Sequence, residues 1–250
     1  MRGKPRAIRL WAVLFWLAVW QLGAMALDQE LFLVSPLRVL GRLGELVVTG
    51  PFWRAVGMSS LRIMGGFLAA TAAGVLLAAL SARFRRVEEL LAPALLAIKS
   101  IPVASFIILA LILFSSRNLA VLISFLMVLP VVYANVLEGI RSADRQLLEM
   151  GRVFRLPVGR RLRYLYVPQV YPFFEAACGV ALGLCWKAGV AAEVIGMPQG
   201  SIGERLQQAK IYLDTPDLFA WTLVIVLVSL AFEKLFLRLL KVGARALERM

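Results

Sequence analysis

Six long apolar runs divide the chain, at about 10–27, 63–82, 90–114, 118–137, 173–195 and 218–240. A helix rises about 1.5 Å per residue, so runs of this length match the ~30 Å hydrocarbon thickness of a bilayer. The pattern predicts an all-α, polytopic membrane protein with about six transmembrane helices, forming a single domain over 1–250.

Between the runs the pattern changes. Ser35-Pro36 reads as an N-cap and first turn, followed by Leu37, Leu40, Leu43 and Val47 among Arg38, Arg42 and Glu45. This is a short amphipathic helix, either lying at the outer interface of the membrane or serving as a solvated linker. The second run carries Gly65, Gly66, Ala69, Ala70, Ala73 and Gly74, small residues that let helices approach closely inside a membrane. Pro93, Lys99 and Pro102 interrupt the third run, and Pro130 marks a kink in the fourth. A polar loop is expected between the fifth and sixth.

The stretch 144–168 breaks the apolar rhythm most sharply. It carries five arginines from Arg152 to Arg163, yet Leu147, Leu148, Phe154, Leu162 and Leu165 recur at roughly helical spacing. Asp144 is placed to cap a first short helix through Phe154, Pro157 to break it, and a second helix to run from Val158 to Val167 before Pro168. Two readings stand side by side. The stretch docks a soluble partner, or its arginines hold anionic lipid headgroups.

Composition and charge sharpen this picture. With 61% hydrophobic residues in 250, the chain has too little polar surface for a soluble domain. The net charge of +13 would suit nucleic acid, but the basic residues flank apolar spans, so nucleic acid is set aside. Of the 28 Lys and Arg, 18 fall on the N-terminus, residues 82–92, residues 138–168 and the tail from Arg238. Only six, Arg38, Arg42, Arg54, Arg117, Arg205 and Lys210, fall on the opposite loops. The asymmetry predicts that both termini and the 144–168 stretch are cytoplasmic. Ala24-Met25-Ala26 resembles a signal-peptidase site, but the first run is longer than a usual signal core, which favours a retained helix.

The inventory of reactive groups is sparse. The chain has no histidine, which removes the commonest general base and zinc ligand. Cys178 and Cys185 lie seven residues apart, about 10 Å along one helix and too far for a disulfide, so they read as small packing residues. No G-x-x-x-x-G-K-[ST] phosphate loop occurs, so this chain itself is not expected to bind ATP or magnesium; no cofactor, metal site or catalytic residue is assigned here. A membrane enzyme acting on lipids or isoprenoids is the alternative, but it would cluster acidic or histidine metal ligands near a membrane end, and the acids here are scattered. A non-catalytic assembly or channel protein would not need a docking signature.

That signature is the strongest clue. Glu149-Met150-Gly151, Arg155, and Leu165-Tyr166-Val167-Pro168 stand in register with Glu-Ala-Ala, three residues, Gly, nine residues, Ile-x-Leu-Pro. The stretch thereby resembles the cytoplasmic signature of permease subunits of binding-protein-dependent ABC importers. Met150 and Arg155 depart from it, and the missing glycine at Arg155 leaves the shape of the turn undefined. Ser60-Leu61-x-Ile63, Gly65-Gly66-Phe67, Ile101-Pro102 and Ala191-Ala192-Glu193 resemble the branch importing nitrate, taurine, alkanesulfonates and thiamine pyrimidine precursors. The resemblance implies a type I importer permease in the inner membrane, paired with a second copy, served by an extracytoplasmic solute-binding protein and driven by ABC ATPase subunits. It also implies that Glu149, Met150, Gly151, Phe154, Arg155, Leu165, Val167 and Pro168 couple to the ATPase.

Candidates for the translocation path come from the membrane-spanning runs. On a helical wheel Glu175, Gly179, Leu182, Trp186, Gly189 and Glu193 lie within about 40° of one line, a bundle-facing or cavity-facing surface. Gly179 and Gly183 could instead serve close packing. Lys99, beside Ser100, and Lys187 sit at membrane depth, where a charge costs roughly 2.5–3.5 kcal/mol and must face protein or water. Either these lysines attract an anionic solute, or they form ion pairs between helices, for example Lys99 with Glu193.

Overall fold

The six expected apolar runs fall on helices in the computed structural model, which describes residues 10–27 and 33–248; among the described residues three helices, or four counting one bent pair, are long and apolar enough to cross a membrane. The basic N-terminal residues therefore lie outside the described residues. The first run is α1, Leu10–Leu27. Helix α2, Pro36–Val47, is the expected amphipathic helix; Ser35 caps it by accepting from the Arg38 N–H, with Pro36 in the first turn. Arg42 leaves its polar face to bind Glu45 at 2.8 Å and Asp217 at 2.9 Å. Those two carboxylates raise the guanidinium above its ordinary value, the Glu45 hydrogen bond most of all.

The second run lies inside a longer helix, α3, Gly50–Arg83. Thr49 at the N-cap and Pro51 in the first turn start it well before Ile63, and the mixed residues 50–62 continue the same helix. Only one side of its small-residue run is used for packing. Gly66, Ala70, Gly74 and Ala78 are buried, whereas Gly65 and Ala69 are exposed. A Cβ on Gly66 would strike the Val121 carbonyl, and one on Gly74 would lie 3.0 Å from the Val132 side chain. These positions let α3 press against α6, Ser116–Arg141, which stays helical through Pro130.

The third run differs from expectation. It is not one span but two helices, α4, Arg85–Ser100, and α5, Val103–Leu113, meeting at 108°. Ile101 and Pro102 are both extended, with ψ of 129° and 131°. A residue before proline is driven out of the helical region, and the proline lacks an N–H to rejoin the ladder. Pro93, by contrast, sits inside α4 without ending it.

Beyond α7, Arg145–Val153, comes a second correction. Helix α8, Val158–Arg161, does not stop at Pro168; it runs through a π-helical turn, Leu162–Tyr166, into α9, Val167–Gly196. The Val167 N–H bonds to the Leu162 carbonyl, five residues back, and this wider turn admits Pro168 in the first turn of α9. The expected loop after the fifth run contains helix α10, Ile202–Ile211, and the sixth run lies in α11, Thr215–Glu248.

Helices α3, α6 and α9 form the centre of the bundle, joined by Ile63, Phe67, Val128, Val132, Cys178, Leu182, Cys185 and Trp186. Helix α5 seals one side through Ile107, Leu119, Ile123, Ala188 and Ala192. Helix α11 packs on α9, α10 and α2, placing Trp221 against Phe52 and Ala220 against Val39. Asp214 caps α11 by accepting from the Asp217 N–H. Among the described residues no group of acids, cysteines or histidines is arranged to hold a metal.

Candidate functional site

The 144–168 stretch forms a tight double crossing at one end of the bundle. The Asp144 carboxylate accepts from the Gln146 N–H at 2.8 Å and starts α7. Asp144 also donates its own N–H to the Gln169 Oε1 at 2.7 Å, while the Gln169 Nε2 donates to the Leu165 carbonyl at 2.8 Å. Gln169 thus ties the first residue of the stretch to its last turn. Sequence reading missed it, because only the three-dimensional return of the chain brings residues 144 and 169 together.

Gly151 is where the two arms cross. It is buried, and a Cβ there would lie 2.6 Å from the Leu165 Cδ1. The register Gly151 to Leu165 therefore has a steric cause: the aliphatic side chain fills the space the glycine leaves. The end of α7 is then closed by two hydrogen bonds, Leu156 N–H to the Gly151 carbonyl at 3.0 Å and Arg155 N–H to the Arg152 carbonyl at 2.9 Å. This is the Schellman arrangement, whose closing residue sits in the left-handed region and is usually glycine. Here it is Arg155, at φ 48°. A side chain costs about 1 kcal/mol in that region relative to glycine. The turn left undefined by the sequence is therefore made in the glycine manner with an arginine in place.

The outward face of this crossing is apolar with a basic surround. Val153, Phe154 and Val158 are 78%, 72% and 71% exposed, and Met150 is half-exposed beside them. Glu149, Arg152, Arg155 and Arg160 are exposed around that patch, as are Val167 and Pro168 at its far edge. Large exposed apolar side chains ringed by polar ones mark a surface that meets another molecule.

The path candidates separate into two groups. Trp186 and Glu193 are inside the bundle, at 1% and 0% exposure. Trp186 packs against Phe232 with ring centroids 5.6 Å apart. Glu193 does not meet Lys99, so the ion pair that was one reading of Lys99 is not formed; Glu193 pairs with Arg62. The Ser59 hydroxyl donates to its Oε2 at 2.6 Å, the Arg62 guanidinium to its Oε1 at 3.4 Å, and the Gly203 N–H to Oε2 at 3.4 Å. The Ile202 N–H completes the cluster by donating to the Ser59 Oγ at 2.9 Å. One carboxylate thereby joins α3, α9 and the first turn of α10. A Cβ on Gly203 would run into Glu193 itself, so α10 rests directly on α9. Sequence reading missed Ser59, Arg62 and Gly203, although Ser201-x-x-Glu204 is a capping signature for α10.

Lys99, Ser100 and Lys187 form the second group, and all three are exposed on this chain. Lys99 and Ser100 end α4 at the 108° break. Lys187 lies on the outward face of α9, in helical line with Gly179 and Gly183, and among the described residues nothing lies within 4 Å of a Cβ built on either glycine. Of the wheel face with Glu175 and Glu193, Leu182, Trp186 and Gly189 pack inward, and Glu175 pairs with Lys241 at 3.2 Å.

The fold and these sequences have known counterparts. A crystal structure of an amino acid ABC transporter with histidines superposes with a TM-score of 0.54, covering 83% of this chain and 96% of that one at 18% identity. The chain is 25% identical over 227 residues to a Bacillus subtilis protein named as an aliphatic sulfonates transport permease, covering 90% of this chain and 82% of that protein. It is 25% identical to the taurine transport system permease protein of Escherichia coli, covering 92% and 82% respectively. It is 28% identical to the riboflavin transport system permease protein of Chloroflexus aurantiacus, covering 86% and 80%. The family profile described as the binding-protein-dependent transport system inner membrane component matches residues 70–249. A component of that kind is a multi-pass transport subunit, not a catalyst; it works with a solute-binding protein and leaves ATP to a partner ATPase. With the profile covering most of its length, the chain belongs to the binding-protein-dependent inner-membrane components, the membrane-spanning permease subunits of ABC importers.

Proposed function

We propose that this permease forms, as a pair of identical copies, the passage for a small anionic solute, and that the Gly151–Leu165 crossing receives the ATPase on the cytoplasmic side. The observation that carries the solute reading is Lys187, a charge on the exposed face of a 30-residue apolar helix. An ammonium at that depth is stable only against protein or water. The uncovered Gly179 and Gly183 beside it offer a close-packing surface for a second copy, which would leave Lys187 at a shared, water-filled wall.

Lys99 and Ser100 are assigned to the same passage, at the mouth of the α4–α5 break. Trp186 and Glu193 form the rigid wall behind it. Two relatives are named for the transport of aliphatic sulfonates and of taurine, and both solutes carry a sulfonate group. Two lysines on a passage suit such anions. The positive-side asymmetry supports cytoplasmic termini and a cytoplasmic crossing. On that side Glu149, Met150, Gly151, Phe154, Arg155, Leu165, Val167 and Pro168 are assigned to coupling.

Uptake of labelled taurine or an alkanesulfonate into proteoliposomes holding the whole importer tests the solute reading. Lys187→Met and Lys99→Met are expected to lower uptake roughly tenfold, the scale of one lost charge contact, with the ATPase still bound. Unchanged uptake in both variants, or a binding protein that carries riboflavin and no anion, removes the anionic passage.

A further inference from the structure

At the end of the bundle away from the Gly151–Leu165 crossing, the first turn of α3 and the loop between α9 and α10 line an open cleft of about 530 Å³. That is the size of a small-molecule site. Its walls carry Arg54 from α3 and Arg205 from α10, together with Gln199, Gly200 and Glu204. Among the described residues neither guanidinium has a carboxylate partner: Arg54 makes no hydrogen bond or ion pair, and Arg205 reaches the Gln208 Oε1 on its own helix at 3.4 Å. Glu204, the acid in the lining, is committed to the turn that starts α10. Its Oε2 accepts from the Gly200 N–H at 2.6 Å, and its own N–H donates to the Ser201 Oγ at 3.0 Å. Helix α3 adds the positive end of its dipole, since Thr49 turns its hydroxyl back to the Leu46 carbonyl at 2.7 Å and gives that first turn no side-chain cap. Gly200 keeps the cleft open: it sits at φ 69°, and a Cβ there would lie 3.7 Å from the Arg54 Nε. Two like charges in one concave surface repel each other, and a bound anion relieves both. Two guanidiniums against one carboxylate leave one positive charge over, the complement of a single monoanion.

We infer that this cleft binds one oxyanion, a sulfonate or a phosphate ester, through forked hydrogen bonds from Arg54 and Arg205. Neither Lys99 nor Lys187 lines it, so the site stands apart from the passage proposed above and does not depend on it. A concave wall suits a small group with several oxygens. An acidic protein surface would bring further carboxylates against Glu204. The oxyanion can belong to a dissolved sulfonate or to a lipid headgroup, and the test separates the two.

The test titrates trifluoromethanesulfonate into the full-length permease in uncharged maltoside detergent and reads the fluorine NMR line width. Saturable broadening is expected in wild type and also in the Lys99→Met, Lys187→Met double variant; its loss in that variant would assign the anion to the passage and overturn the inference. Arg54→Gln and Arg205→Gln are each expected to weaken binding about tenfold with the unfolding temperature unchanged. Gly200→Asn and Gly200→Asp both suit a left-handed residue, but only the Asp sets a charge beside Arg54, so only it is expected to abolish binding. Equal binding by those two variants would contradict the site. Displacement of the probe by ethanesulfonate at a lower concentration than by dihexanoyl phosphatidylglycerol identifies a dissolved sulfonate as the occupant, and the reverse order identifies a lipid headgroup. No saturable broadening in wild type, or binding unchanged in both arginine variants, overturns the inference. If the arginine variants keep the probe and lose only the solute-binding protein, the arginines serve a protein contact and the inference fails.

Discussion

Glu193 is a carboxylate without solvent exposure, and every donor that reaches it comes from another helix or from the turn it supports. Removing one member of a buried pair leaves the other charge unpaired, at about 3–5 kcal/mol. Glu193→Ala is therefore expected to lower the thermal unfolding temperature in detergent strongly. The double change Glu193→Leu with Arg62→Met is expected to recover most of the loss; full additivity of the two single losses would show that the pair does not interact. The sequence presents Glu193 as an isolated acid in an apolar run, equally suited to a passage. Its partners Ser59 and Arg62 lie 134 and 131 residues away, a separation that no local pattern carries. Arg155 is the opposite case. Its register in the signature marks the glycine position, and the hydrogen bonds closing α7 place it at the left-handed residue of the turn.

Among the elements, the α3–α6 contact depends on the line Gly66, Ala70 and Gly74. In a membrane no water drives two helices together, so the depth of contact sets the stability. Gly66→Leu is expected to push α3 from α6 and lower the yield of folded protein, whereas Gly65→Leu, on the open side, is expected to be tolerated. Equal behaviour of the two on size exclusion in detergent would contradict this packing. Small residues were legible as a group in the sequence; which half faced the partner was not, because both halves repeat at helical spacing. Proline was legible with less certainty. Pro157 precedes α8 as expected, but Pro168 is absorbed by the π-helical turn, and Ile101-Pro102 bends the chain by 108°. A proline removes one donor and one conformation; whether a helix ends there depends on what the neighbouring turns can accommodate.

For the whole molecule, the apolar runs were enough to define a multi-pass membrane protein, because bilayer thickness and backbone hydrogen bonding leave few alternatives, while the permease class rested on the signature from Glu149 to Pro168. The passage was less legible. A lone chain exposes Lys99, Ser100 and Lys187 and buries Trp186 and Glu193, a division set by helix rotation within the bundle. The central claim is that the crossing of Gly151 and Leu165 carries the ATPase. Glu149 is exposed at its edge, outside the packing that folds the chain, so reversing its charge leaves the bundle intact. The most direct measurement is co-purification of the ATPase subunit with the tagged permease, wild type against Glu149→Arg. The wild-type permease is expected to retain the ATPase, and Glu149→Arg, while folded, to lose most of it. An ATPase that stays fully bound to Glu149→Arg would contradict the account.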